Sequence, residues 1–280
     1  MLHWSRSGMA RGVLLLPALA VFAAYPDGEA PLHLTLRSRV EIDRAGGEWR
    51  AATADEPFSP SSSALILCDL WDHHWCQGAA ERVEILAGRI APVVHLARSR
   101  GFLIIHAPSE TMAYYKDAPQ RRSILAIPPA APPVPREIAA PGLPIDDSDG
   151  GCDTPDNPLP VNYRNWTREN AAIQIRPGDL ISDSGREIYS AVRSRGIRTL
   201  FYAGVHANLC ILNRSFAIRQ MTKWGERCIL IRDLTDAMYN PARRPFVSHQ
   251  RGTELVIEYI EKYWAPTVTS DQIVRALRGH

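Results

Sequence analysis

From residue 64 onward, short apolar runs alternate with longer stretches whose apolar residues recur every three or four positions. The runs 64–68, 102–106, 199–203 and 228–232 carry no polar alternation, which is the pattern of strands covered on both faces. Residues 173–175 and 180–182 are shorter strand candidates. Between them, Val83, Ile85, Leu86, Ile90, Val93, Val94 and Leu96 have the spacing of a helix over 79–100, which Gly101 ends. Ser184 is placed to cap a helix running to Arg195, with Gly196 as its stop. Further helices are expected over 211–225, 246–263 and 270–277. Repeated strand–helix units predict an α/β fold: a mostly parallel sheet between two helical layers, joined by right-handed crossovers.

Two regions break this rhythm. Residues 32–37 alternate apolar and polar, and with Val40, Ile42 and Trp49 they read as a small N-terminal β appendage over 25–63. Pro57, Pro60 and the serines at 61–63 mark its end, so the main domain is assigned to 64–280. Residues 124–165 are rich in proline and lack periodicity. This insertion is expected to wrap the surface and cover the site.

Composition narrows the picture. A chain of 280 residues with 45% hydrophobic positions can bury one large core. A net charge of +2 gives no pull toward nucleic acid, so the expected partner is a small-molecule substrate. The only lysines are Lys116, Lys223 and Lys262, so nearly all positive charge is arginine. Arg6 and Arg11, the apolar stretch 12–24 and the small residues around Val21-Phe22-Ala23 have the form of a signal peptide over 1–24. Export to a periplasm or the outside follows from that reading, and a cytoplasmic location if those residues are not a signal. No later segment is apolar and long enough to cross a membrane. Of the five cysteines, Cys68 and Cys228 fall in core-like runs, and Cys76 and Cys152 can pair in an exported protein.

Chemistry gathers at two strand ends. The run 64–68 ends in Asp69, and the run 199–203 leads through Gly204-Val205-His206-Ala207-Asn208-Leu209 to Cys210, where a helix begins. Open α/β sheets place their sites above such ends. Free N–H groups at a helix start favour a thiolate and can hold an oxyanion. Leu65-Ile66-Leu67-Cys68-Asp69-Leu70-Trp71-Asp72 and the turn from Gly204 to Ile211 resemble the first strand and the nucleophile turn of isochorismatase-like cysteine hydrolases, which include nicotinamidases. The resemblance spans about residues 64–236. It implies Cys210 as nucleophile, Asp69 as acid and base, and a cis bond between Val205 and His206 that shapes an oxyanion hole. It also implies an amide-type C–N bond as target and a homo-oligomeric assembly. The family places a lysine after the strand that precedes the 184–195 helix. Here that region offers Arg176 and Asp183 instead. An arginine would supply the missing positive charge, and an aspartate would oppose it. Lys116, His73 and His74 are other candidate cations.

Three alternatives stay open at this point. Asp72, His73, His74 and His106 have the donor types for a zinc-like divalent metal, as in nicotinamidases, or they shape a metal-free pocket rim with Trp71. No cofactor is otherwise required. The acidic run 146–153 can wrap calcium or form a solvated turn. Asp236 is placed to support the Cys210 turn or to start a surface turn, and Arg243, Arg244, His249 and Arg251 form a basic patch. Arg164, Trp166 and Arg168 are further pocket candidates by position. A metal-assisted hydrolase or lyase, or a binding protein without catalysis, are the competing functions.

Overall fold

A computed structural model describes residues 31–43 and 47–279, so the expected signal peptide lies outside the described residues. Eight strands form one sheet: β1 (Leu32–Asp43), β2 (Glu48–Phe58), β3 (Ser63–Cys68), β4 (Leu103–Ala107), β5 (Leu180–Ile181), β6 (Thr199–Val205), β7 (Arg227–Asp236) and β8 (Thr267–Val268). Their spatial order is β2-β1-β8-β7-β6-β3-β4-β5, and every pair from β8 to β5 is parallel. The N-terminal hairpin is antiparallel and joins the same sheet, with Arg37 opposite Thr267. It is therefore an extension of the sheet. The proline- and serine-rich boundary is a single 3-10 turn, Pro60–Ser62.

Alternation along the central strands explains their uninterrupted apolar character. In β3, Ala64, Ile66 and Cys68 face one core, while Leu65 and Leu67 face another. In β6, Leu200 and Tyr202 oppose Phe201, Ala203 and Val205 in the same way. Both faces must be apolar because each meets a helical layer. One layer holds α1 (Gln77–Ser99) and α8 (Ser270–Arg278). The other holds α4 (Gly185–Ser194) and α7 (His249–Tyr263). Each large side chain buried this way stabilises the fold by about 1.5–3 kcal/mol. The two expected glycine stops are present: Gly101 has φ +94° and Gly196 φ +64°. Ser184 caps α4 by accepting the Glu187 N–H.

Three local expectations differ. The 211–225 helix is two short ones, α5 (Cys210–Asn213) and α6 (Ile218–Lys223), separated by 214–217. The break carries Ser215, whose carbonyl oxygen would lie 1.9 Å from a β-carbon built at Gly185. This close approach of the α5–α6 link to α4 leaves room only for glycine. Residues 173–175 are not a strand, although Ile173 is buried. After α2 (Met112–Tyr115) and α3 (Pro119–Leu125), the chain runs from 126 to 179 without a helix or strand, apart from a bridge between Trp71 and Glu169. No helix among the described residues is long and apolar enough to cross a membrane.

Candidate active site

Asp69 and Cys210 converge although 141 positions separate them. Register brings them together: β3 and β6 are adjacent, with Cys68 opposite Gly204. A β-carbon at Gly204 would lie 2.0 Å from the Cys68 carbonyl oxygen, and Gly204 has φ +118°. Glycine thus lets the two strand ends close up where the site forms. Asp69 leaves β3 with φ +48°, which turns its side chain back over the sheet end. It is fully buried. Its Oδ1 accepts the Ser109 N–H at 2.7 Å, and its Oδ2 accepts Arg214 Nε–H at 3.0 Å. The Cys210 thiol is a further hydrogen-bond partner of this carboxyl.

A cation does stand beside Asp69, and it is Arg214, not one of the expected candidates Arg176, Lys116, His73 and His74. It caps the C-terminal end of α5, four positions after Cys210, and its N–H donates to the Cys210 carbonyl at 3.2 Å. Residues four apart on a helix share a face, so the guanidinium reaches the same carboxylate as the thiol. Its Nη1 also donates to Glu110 at 3.2 Å, and its guanidinium carbon lies 6.0 Å from the Trp71 ring centre. Arg176 instead stands in the loop before β5, donating its side chain to Gln174 and its N–H to Asp179. Asp183 accepts the Glu110 N–H at 2.9 Å, and so steadies a residue that holds Arg214.

The Val205–His206 bond is cis, as the resemblance implies. Ala207 donates to the Asp236 carbonyl at 2.7 Å, and Leu209 and Ile211 both donate to the His206 carbonyl. Among the described residues, the His206 and Cys210 amides are spent on no other backbone carbonyl. The His206 N–H points at the Cys210 sulfur. Asn208 fastens the turn: its side chain donates to Asp147 and to the Met238 carbonyl and accepts the Met238 N–H.

The electrostatics correct the expectation of a lowered thiol pKa. Burial pushes the Cys210 thiol well above its ordinary value. The Asp69 carboxylate pushes it further, and Arg214 pulls it back. A four-residue α5 is too short to outweigh this. Burial also raises Asp69, against the opposing pull of Arg214 and of its hydrogen bonds. The resting site therefore favours a neutral thiol, beside an Asp69 carboxyl paired to Arg214.

Cys210 opens onto a cavity of about 310 Å³. Its walls are aromatic: Trp71 and Trp166 stack with ring centres 4.4 Å apart, and the His74 ring packs on Trp166 and edge-on to His206. Burial depresses His74 to about 4 and His206 well below its ordinary value, so both imidazoles are neutral at pH 7. Arg164, paired with Glu110 at 2.5 Å, brings charge to the mouth. The proline-rich insertion contributes Gly150, Asn162 and Arg164 to this wall. A disulfide, Cys76–Cys152, ties that insertion to the start of α1. Residues 127–135 of the insertion instead line a larger hollow of about 960 Å³ with α4 and α6, which carries no cysteine or histidine. Only part of the insertion therefore covers the site.

Several candidates fall elsewhere. His106 lies on the same face of β4 as Ile104, because side chains alternate along a strand. It is fully buried between Glu169 at 2.7 Å and Asp179 at 3.1 Å, away from the cavity. Asp72 accepts from the Thr167 and Arg168 N–H groups and from the Thr167 hydroxyl. His73 is exposed, and His74 Nδ1 accepts the Cys76 N–H. The four proposed metal ligands thus point to separate partners. Among the described residues, no three His, Cys, Asp or Glu side chains gather to hold a metal ion. In the acidic run, Asp147 binds Asn208, and Asp149 binds Gly151, Asn240 and Arg243. Arg168 stacks on Tyr114 outside the cavity. The Asp236 side chain holds Arg82 and His249 while its carbonyl supports the nucleophile turn.

No protein-family model matches the chain, and no curated protein sequence matches it. Solved structures do. A cysteine hydrolase from Pseudomonas syringae pv. phaseolicola aligns over 80% of this chain and 96% of its own, with a TM-score of 0.50 and 16% identity. An isochorismatase from Pseudomonas putida aligns over 77% and 92%, at 0.44 and 13%. An isochorismatase family protein from Burkholderia thailandensis aligns over 79% and 97%, at 0.45 and 14%. At these identities the likeness is one of fold: the chain shares the fold of that cysteine hydrolase.

Proposed function

We propose that this protein is a cysteine hydrolase that cleaves a small amide or related C–N bond through a thioester on Cys210. One observation carries the reading: the buried Asp69 carboxyl joins the Cys210 thiol and the Arg214 guanidinium, and these last two line a cavity. The Asp69 carboxylate takes the thiol proton as sulfur attacks the carbonyl carbon. Negative charge then moves from oxygen to sulfur within the field of Arg214, so the buried site gains no net charge. The oxyanion accepts from the His206 and Cys210 N–H groups. As the C–N bond breaks, the protonated Asp69 carboxyl returns its proton to the departing nitrogen. Asp69 next deprotonates a water that attacks the thioester, releasing acid and restoring the thiol. The raised tendency of Asp69 to hold a proton suits it to both roles.

The cavity's aromatic walls and modest volume favour a small planar substrate. Among the described residues the metal-assisted alternative has no gathered donor set, and Arg214 supplies the cation whose absence was the main support for a non-catalytic protein. The test is amine release from a panel of small primary amides and carbamates, with acid-quenched intact mass measured during turnover. An acyl adduct on Cys210, and complete loss of turnover in a folded Cys210→Ala protein, are expected. Undiminished turnover by Cys210→Ala would reject the covalent route.

A further inference from the structure

A second cavity, of about 660 Å³, shares no lining residue with the thiol site. It forms where the sheet opens. β8 pairs β7 only at Leu230 and Ile231, so residues 232–236 have no strand on that side. β1, α1 and α7 wall the gap. Into it come Arg37 and Arg39 from β1, Arg82 and Arg89 from α1, Arg232 from β7 and Arg251 from α7. The carboxylates in the same wall are Asp236, Glu254 and Glu258.

Arg37 pairs with Glu261 at 2.7 Å, Arg39 Nη2 with Glu258 at 3.2 Å, and Arg251 with Glu254 and Glu258, but other guanidinium nitrogens stay open. Arg82 gives Nε to Asp236 and Nη1 to Asp153, while its Nη2 is buried with no partner among the described residues. Arg39 Nε lies 3.3 Å from Glu261 but makes no hydrogen bond. Arg232 reaches only the Thr267 hydroxyl, at 3.3 Å, with no carboxylate in ion-pair range among the described residues. The one carboxylate near Arg89 is Asp233, at 3.8 Å. Arg232 is held below the usual arginine range first by burial and then by the charge of Arg37. Crowded cations with open N–H forks, partly withdrawn from water, are complemented by an oxyanion that accepts several hydrogen bonds at once.

We propose that this groove binds a phosphate-type oxyanion carried by a small molecule, at a site separate from the thiol cavity. Arg232 and Arg89 are its principal donors. The groove is larger than a single phosphate group, so the ligand has a further moiety lying toward α7.

The test uses the full chain, with sodium phosphate and sodium pyrophosphate titrated against sodium chloride at matched ionic strength. Binding is read by calorimetry and thermal unfolding. Phosphate at about 100 times its Kd should raise Tm by roughly 5 °C, and chloride should not. Pyrophosphate should bind more tightly than phosphate. Arg232→Gln and Arg89→Gln should each weaken phosphate binding about tenfold, the loss of one charge-assisted contact. Arg89 is solvent-exposed for over half its side chain, at 56%, so its variant carries the test if Arg232→Gln does not fold. Equal responses to phosphate and chloride would overturn the proposal. So would undiminished phosphate binding in a folded Arg89→Gln or Arg232→Gln protein.

Discussion

At the scale of single residues, the site turns on Arg214. Its charge lowers both Asp69 and Cys210 against the burial that raises them. Removing it by Arg214→Gln should lower kcat/KM about 100-fold, the size of effect seen when one preorganised donor is lost. It should also move the acid limb of the pH–rate profile. Arg214 lowers Asp69, so its loss raises the pH at which Asp69 becomes a base, and the limb shifts upward. Arg214→Lys keeps the charge and should recover part of the rate with a smaller shift. A full pH profile of kcat/KM checks this, and a limb that stays in place would contradict it. The sequence carried a signal for this residue: an arginine four positions after the nucleophile, within the expected 211–225 helix. Arg176 and Asp183, at the position the resemblance implies, instead bond Gln174 and Glu110. Cys210, Asp69, Val205 and His206 were singled out by the motif resemblance, and the register of β3 against β6 brings their strand ends together. The placements of Glu110 and Trp166 depend on loops with no periodicity, and sequence patterns do not determine loop paths.

At the scale of elements, the long insertion is held by one covalent tie. Cys76 immediately precedes α1, and Cys152 lies in the stretch that packs on Met238 and Trp75. The bridge closes a loop of sequence separation 76, so it restricts the unfolded chain strongly. Cys152→Ser should lower the unfolding free energy by about 2–4 kcal/mol. Because Gly150 and His74 wall the cavity, the same change should raise KM more than it lowers kcat. Urea unfolding of the oxidised, reduced and substituted proteins, with steady-state kinetics, tests both; unchanged stability would contradict it. The strands and long helices matched their periodicity because each buries an apolar face. The split of the 211–225 helix was not legible, since its cause is a tertiary approach of the Ser215 carbonyl to Gly185.

At the scale of the whole molecule, a buried charge chain ties the loops that follow the insertion to the sheet. His106 bridges Glu169 and Asp179, and Asp179 in turn holds Arg98 of α1 at 2.8 Å. Burial lowers the imidazole pKa, but the two carboxylates outweigh it and raise it to about 9. A folded value above the unfolded 6.5 means the stabilisation is full below pH 6.5 and is lost as pH rises through about 9. The loss amounts to about 3 kcal/mol. Comparing unfolding free energies of the wild type and His106→Gln from pH 6 to 10 should show the two curves converging across that window. Parallel curves would contradict it. The His106 role was hidden in the sequence because strand alternation turns it away from the site, and its partners come from distant loops. The α/β architecture itself was legible, since a parallel sheet covered on both faces leaves uninterrupted apolar strands. The hairpin's union with that sheet was not, because one residue pair, Arg37 with Thr267, carries it.

The central claim is that Cys210 is a working nucleophile governed by Asp69 and Arg214. It is tested most directly by the pH dependence of Cys210 alkylation with iodoacetamide, mapped by peptide mass in wild type, Asp69→Asn and Arg214→Gln. The account predicts selective labelling of Cys210 over the buried Cys68 and Cys228, with the curve moved to lower pH by Asp69→Asn and to higher pH by Arg214→Gln. Curves that coincide in all three proteins, or a Cys210 that labels no faster than Cys68, would contradict it.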